Sequence, residues 1–158
     1  MIFCIVGSQK FQFDRMIREI DRLAGSGVIC DEVVAQIGAC SYEPKHLKWQ
    51  RFMDKDEFDS NIRSCDLLIT HAGEGSIMTG LLMGKKVIAI PRYQHLGEHV
   101  SDHQLQIARA MEKQKCLINV EDTKELEHVL LNLDSYELEP YVSGKAQIMK
   151  LICNFIEK

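Results

Sequence analysis

From its amino end the chain opens on a continuous apolar run, Met1 to Val6, closed by Gly7-Ser8. That is the look of a strand buried on both faces, because a parallel sheet covered by helices leaves no strand face to water. Phe13, Met16, Ile17, Ile20 and Leu23 then return at helical spacing until Gly25 and Gly27 stop the helix. The same grammar repeats along the chain. Val33 to Ile37 predicts a second strand closed by Gly38, and Leu47 to Phe52 a third. A helix follows through Phe58, Ile62 and Cys65, capped by Asp54 or Asp56. Leu67 to Thr70 reads as a fourth strand, Ser76 to Met83 as a helix ended by Gly84, and Lys86 to Ile90 as a fifth strand stopped by Pro91. After a polar loop, Asp102 to Lys113 is amphipathic and Cys116 to Val120 predicts a last short strand. Thr123 to Leu131 reads as another helix, and Pro140 to Ile156 as a C-terminal helix packed on the outside.

Strands alternating with helices through short loops predict an α/β fold, a Rossmann-like parallel sheet covered by helices on both faces, since parallel neighbours need crossover connections. No repeat, low-complexity segment or linker interrupts the pattern, so residues 1–158 read as a single domain. In such sheets ligands sit outside the carboxyl ends of the strands. That rule gathers Gly7-Ser8-Gln9, Gly38, His71 to Ser76 and the loop after Pro91 on one edge.

Composition narrows the function classes. A formal net charge of −4 offers no basic field to nucleic acid. The six cysteines are scattered, the nearest two being ten residues apart, so neither a zinc ribbon nor a redox CxxC can be drawn. They read as reduced, structural thiols of a cytosolic protein. The opening MIFCIVG lacks the basic start of a signal peptide, and nothing approaches the roughly eighteen apolar residues of a membrane span. Any work at a membrane is therefore expected to depend on recruitment. At 158 residues the chain is short for an enzyme that holds two large substrates in one cleft.

Two stretches could carry chemistry. His71-Ala72-Gly73-Glu74-Gly75-Ser76 sits where a strand ends and a helix opens, where free backbone N–H groups and the positive end of the helix dipole favour an anion. Glycines at 73 and 75 let the backbone approach a phosphate, and Ser76 adds a hydroxyl. Alone, the stretch is equally consistent with a βα turn that needs glycine for its geometry, and it is neither a GxGxxG nor a Walker loop. The second stretch runs from Pro91 to Gln104 and is dense in groups suited to sugar hydroxyls or diphosphate oxygens: Arg92, Glu98, His99, Asp102, His103 and Gln104. A solvated loop with Asp102 as helix cap is the competing reading. His95, His99 and His103 are spaced by four, but Gly97 between them argues against one helix presenting all three to a metal, and no metal or other cofactor is expected.

With both stretches in view, the chain resembles the C-terminal, nucleotide-sugar-binding half of the family 28 glycosyltransferases. It is closer still to short stand-alone members, the soluble subunit of the split eukaryotic UDP-GlcNAc transferase and the PssE-like proteins of exopolysaccharide and capsule synthesis. The matching residues are HAGEGSI at His71 to Ile77, the run from Gly84 to Pro91, GEHVSDHQ at Gly97 to Gln104, Gly7-Ser8-Gln9, and Phe52-Met53. The resemblance implies a GT-B C-terminal-type domain that binds a UDP-sugar. It implies that the Phe52-Met53 segment meets uracil, that Gly7-Ser8 and the turn Gly73 to Ser76 face the diphosphate, and that Asp102-His103-Gln104 reach the sugar. Many relatives carry a ribose-binding glutamate where this sequence has Thr79, which leaves Glu74 as a candidate to share that role.

The resemblance further implies the donor-binding subunit of a two-component, inverting glycosyltransferase. Its partner would be membrane-associated, bind a polyprenyl-diphosphate-linked acceptor and supply the catalytic base. The chain itself would be cytoplasmic and peripherally recruited. The alternative is a non-catalytic enhancer that stabilises a partner glycosyltransferase. The apolar stretch Ile148 to Ile156 could cover this domain's own sheet or another surface, and self-association stays open.

Overall fold

The computed structural model describes residues 1–144. Most of the helix expected at Pro140 to Ile156, with Cys153, lies outside the described residues. Six strands form one sheet: β1 (Ile2–Ile5), β2 (Val33–Gln36), β3 (Lys48–Gln50), β4 (Leu67–Thr70), β5 (Lys86–Ala89) and β6 (Ile118–Asn119). Their spatial order is β3-β2-β1-β4-β5-β6, and every neighbouring pair is parallel. The crossovers carry α1 (Asp14–Gly25), α2 (Lys55–Ser64), α3 (Glu74–Leu82) and α4 (His103–Lys113), and α5 (Leu126–Leu131) follows the last strand.

Side chains of successive strand residues point to opposite faces, so each buried strand feeds two cores. Ile2, Cys4 and Val6 join Ile69 and Ile88 on the face covered by Met16, Ile17, Ile20 and Leu23 of α1 and by Leu126 and Val129 of α5. Phe3 and Ile5 join Leu68 and Val87 on the other, against Ile62 of α2, Ile77 and Leu81 of α3, and Ala108 of α4. Both faces are therefore covered, and this is why the strands read as unbroken apolar runs.

The register defines the functional edge. Ile5 of β1 pairs with Gln36 of β2 on one side and Thr70 of β4 on the other, so three carboxyl ends lie level. From β1 the chain builds outward to β2 and β3, and from β4 in the opposite direction to β5 and β6. The loops after β1 and β4 thus diverge across a crevice, the usual ligand position in an open α/β sheet.

Several boundaries differ from expectation for identifiable reasons. β3 is a three-residue edge whose two ends, Lys48 and Gln50, are exposed, instead of a strand reaching Phe52. The chain leaves it at Arg51, whose carbonyl accepts from Gly38 N at 2.7 Å and whose guanidinium Nη1 donates to Cys40 O at 2.8 Å. α3 starts two residues earlier than expected, with Gly73 as its N-cap. β6 contracts to two residues at the other edge. Before α5, Thr123–Glu125 form a 3-10 turn whose Lys124 N donates to Asp122 Oδ1 at 3.0 Å. For α2 the expected cap is present, Asp54 accepting from Glu57 N at 2.9 Å.

The described cysteines are all unpaired; Cys4, Cys40, Cys65 and Cys116 are buried and Cys30 is exposed. Burial pushes the Cys40 thiol up to about 11, in keeping with a core side chain. Among the described residues no helix is long and apolar enough to cross a membrane.

Candidate functional site

A cleft of about 720 Å³ opens at the carboxyl ends of β1, β2 and β4. Its walls come from the loop after β1 (Gly7, Ser8, Gln9), the end of β2 (Gln36), the entry to α2 (Met53, Asp54, Lys55, with Phe58), the turn into α3, and the start of α4. A second cavity, about 650 Å³, lies at the opposite edge near Met1, Asp66 and Lys86 and holds none of the expected site residues.

His71 organises the turn into α3. The residue is 8% exposed, and its Nδ1 lies 3.2 Å from Ile5 O and 3.4 Å from Thr70 Oγ1. Proton bookkeeping fixes its tautomer. Ser76 Oγ donates to Gly73 O at 2.9 Å and must therefore accept from Thr70 Oγ1 at 2.6 Å. With the Thr70 proton committed, both partners of Nδ1 can only accept, so Nδ1 carries the hydrogen. Burial, then the Arg92 charge, lowers the imidazole to about 4, so the ring is neutral at physiological pH. Its Nε2 is the ring atom nearest to where a Cβ would stand on Gly7 (2.7 Å) and on Gly73 (2.3 Å). Neither position can carry a side chain without displacing the ring, so His71 is wedged between the two loops that flank the crevice.

The left-handed residue of the turn is Ala72, at φ 63, and not a glycine. This buried alanine reverses the chain so that Gly73 can cap α3 directly. No side chain caps that helix. Its first-turn N–H groups, at residues that line the cleft, are left for solvent or an anion, with the positive end of the helix dipole behind them. A Cβ on Gly75 would meet nothing within 4 Å, so the first turn of the helix is open beside Gly75 on the cleft wall. The Ser76 hydroxyl is engaged within the turn, and Thr79 Oγ1 donates back to Gly75 O at 2.7 Å.

The structure brings together in the cleft Gly7, Ser8, Gln9, Met53, His71, Gly73, Glu74, Gly75, Ser76, Thr79, His99, His103 and Gln104. It places Phe52, Ala72, Arg92, Glu98 and Asp102 outside the lining. Phe52 is 54% exposed while its neighbour Met53 faces in. Arg92 is only 1% exposed. Its Nη2 donates to Val6 O and, at 3.3 Å, to Phe11 O, and its guanidinium stacks over Phe13 at 5.4 Å. Burial lowers it to about 10, still cationic at neutral pH, and it braces the loop after β1 from behind.

Glu98 accepts from Arg15 Nε and Nη2, both at 3.0 Å, and from Tyr93 N at 3.0 Å, tying the polar loop to α1. Asp102 occupies the N-cap position of α4 without capping it; its Oδ1 accepts from Gln94 N at 2.9 Å. Gln104 Oε1 accepts from Arg92 N at 3.4 Å, so the buried brace and the cleft wall meet there. His95 lies in a 3-10 turn, Gln94–Leu96, that ends at Gly97, and His103 opens α4, so no continuous helix carries the three histidines. Among the described residues no cluster of His, Cys, Asp or Glu could hold a metal ion.

The lining also includes Ile5, Gln36, Asp54, Lys55, Phe58 and Ile107, which motif reasoning passed over. The available signal was Gln36, the one polar residue in the apolar run Val33 to Ile37, near the carboxyl end of the strand where ligands sit.

Comparison with known proteins agrees with this geometry. A profile described as "Glycosyltransferase family 28 C-terminal domain" matches residues 1–155. The chain is 32% identical over 123 residues to the UDP-N-acetylglucosamine transferase subunit ALG13 of Kluyveromyces lactis, covering 77% of this chain and 54% of that protein. Among solved structures, the glycotransferase of kitacinnamycin shares the fold with a TM-score of 0.64 at 16% identity, over 85% of this chain and 34% of that one. MurG of Acinetobacter baumannii does so with a TM-score of 0.57 at 16% identity, over 84% and 40%. The chain thus spans about half the length of the curated relative and less of the two structures, whose likeness at such identities speaks for the fold alone. The extent of the profile match decides the membership: this chain belongs to the glycosyltransferase family 28 C-terminal domain family.

Proposed function

We propose that the chain is the donor-binding subunit of a two-component, inverting glycosyltransferase, holding a UDP-sugar in the cleft between the loops after β1 and β4. The observation that carries the reading is the uncapped start of α3, with open space at Gly75, in the wall of that cleft. Transfer from a UDP-sugar leaves negative charge on the departing UDP. Backbone donors and a helix dipole aimed at that charge are preorganised and need no reorganisation as it develops. Glycines 7 and 73, packed on His71, let two backbone segments approach the diphosphate, while Met53 and Gln36 lie toward the nucleobase and His99, His103 and Gln104 toward the sugar.

Displacement with inversion also needs a base to take the proton of the acceptor hydroxyl. His71 is unsuited to that task, being buried between two loops. The base and the polyprenyl-diphosphate-linked acceptor are assigned to a membrane-associated partner that recruits this chain from the cytoplasm. The name of the curated relative, a transferase subunit, supports a divided enzyme. Exopolysaccharide or lipid-linked glycan assembly is the setting in which such an acceptor is used.

The test is reconstitution of the chain with its acceptor-binding partner, a lipid-linked acceptor and a panel of UDP-sugars. Transfer that requires both proteins is the expected result; no transfer from any UDP-sugar by a folded pair would overturn the proposal. A second reading, a non-catalytic stabiliser of the partner, draws on Thr79, whose hydroxyl is turned to Gly75 O where a ribose-binding acid is common. UDP binding by the chain separates the two, because the stabiliser needs none.

A further inference from the structure

Gln36 ends β2 and is 6% exposed, a polar side chain behind Val33, Val34 and Ala35. Its backbone is used by the sheet, the carbonyl accepting from Val6 N at 3.1 Å. Its side chain serves a different end. Oε1 accepts from Met53 N at 3.0 Å. A backbone N–H can only donate, so the contact fixes which way the carboxamide faces: oxygen toward Met53, NH2 away from it. Among the described residues nothing accepts from Nε2, while the residue lines the cleft. Nε2 is not among the fully buried unpartnered atoms, so the donor reaches the open cleft, where a ligand or water can supply its acceptor.

The surroundings suit a flat, partly apolar group. Met53, Phe58 and Ile107 form an apolar wall beside Gln36, and Asn61 Nδ2 contacts Met53 Sδ at 3.5 Å, helping to hold the thioether. β1 lies between β2 and β4, so Gln36 is two strand spacings, about 10 Å, from the end of β4 where α3 begins. That separation leaves room for a ribose between a diphosphate at α3 and a base at Gln36.

We infer that Gln36 is a specificity-determining residue that reads the nucleobase of the donor, its carboxamide NH2 donating to the O4 carbonyl of uracil. The inference rests on the donor-binding reading above. Cytosine carries an amino donor at that position, as its pairing edge shows, and two donors would then oppose each other. The apolar wall alone tolerates either pyrimidine; the Gln36 donor selects between them.

The test is calorimetric titration of UDP and CDP into the whole chain, wild type, Gln36→Glu and Gln36→Met, with thermal melts to verify folding. Glutamate keeps an oxygen for Met53 N and replaces the donor by an acceptor. Wild type is expected to prefer UDP over CDP by roughly tenfold or more, Gln36→Met to lose most of that preference, and Gln36→Glu to shift the ratio toward CDP by roughly a hundredfold. Equal binding of UDP and CDP by wild type, or an unchanged ratio in either folded variant, overturns the assignment even though UDP binds. Should Gln36→Glu not fold, the wild-type ratio and Gln36→Met decide the matter. No binding of UDP by wild type would instead overturn the donor-binding reading, and this inference with it.

Discussion

His71 Nδ1 donates to the carbonyl of Ile5 across 3.2 Å, joining the end of β4 to the end of β1, while the same ring fills the space a Cβ would need on Gly7 and Gly73. Alanine at either glycine must displace the ring or the backbone. Gly73→Ala is expected to destabilise by about 1–3 kcal/mol through overpacking. Gly7→Ala is expected to cost more, about 2–5 kcal/mol, because its φ of +85 adds backbone strain. Gly75→Ala, with open space, should be neutral or slightly stabilising. Urea unfolding midpoints of the three variants check the order.

The neutral imidazole makes stability depend on pH. His71 sits at about 4 in the fold against an ordinary 6.5, so between those values the unfolded chain binds more protons. Its contribution is complete above about pH 6.5 and is lost as pH falls toward 4, by about 3 kcal/mol at most. Unfolding measured from pH 7.5 to pH 4.5 should show this loss in wild type. In His71→Asn, whose side-chain amide can still donate to Ile5 O, that component of the slope should disappear.

Arg92 is expected to behave as a structural residue. Its Nη2 serves Val6 O and Phe11 O from a site only 1% exposed. Arg92→Met removes the donor from two carbonyls that hold the loop after β1, and should destabilise by about 2–4 kcal/mol. Near the folding midpoint UDP affinity would fall with the folded fraction; well below it, the affinity of the folded protein should change by only a few-fold. Chemical denaturation paired with titration separates the two effects.

The main lines of the fold were legible because burial on both faces writes continuous apolar runs into the parallel strands; Leu67 to Thr70 is a strand with the bounds its sequence predicts. The edges were less so. β3 pairs on one side only and stops at Gln50, a limit set by its neighbour and not by its own residues. In the site, the glycine turn was recognisable as a motif, but the left-handed residue is Ala72, which no propensity singles out. Arg92 and Glu98 looked like ligand groups because a polar loop conceals which of its members turn inward; their partners, Val6 O and Arg15, are more than 80 residues away in sequence. Gln36 is hard to find for the opposite reason: it is a lone polar residue inside the apolar run Val33 to Ile37, and no motif includes it.

The central claim is that the start of α3 receives the diphosphate of a UDP-sugar, and titration calorimetry of UDP into wild type and Gly75→Asp tests it most directly. An aspartate at 75 enters open space in the first turn of a helix, where an acid is stabilising, so the fold should be kept or strengthened. Its carboxylate would stand where the diphosphate is placed. The account predicts UDP binding by wild type and a loss of roughly a hundredfold or more in Gly75→Asp with an undiminished melting temperature. Equal UDP affinity in both proteins, or none in wild type even with its partner present, would contradict it.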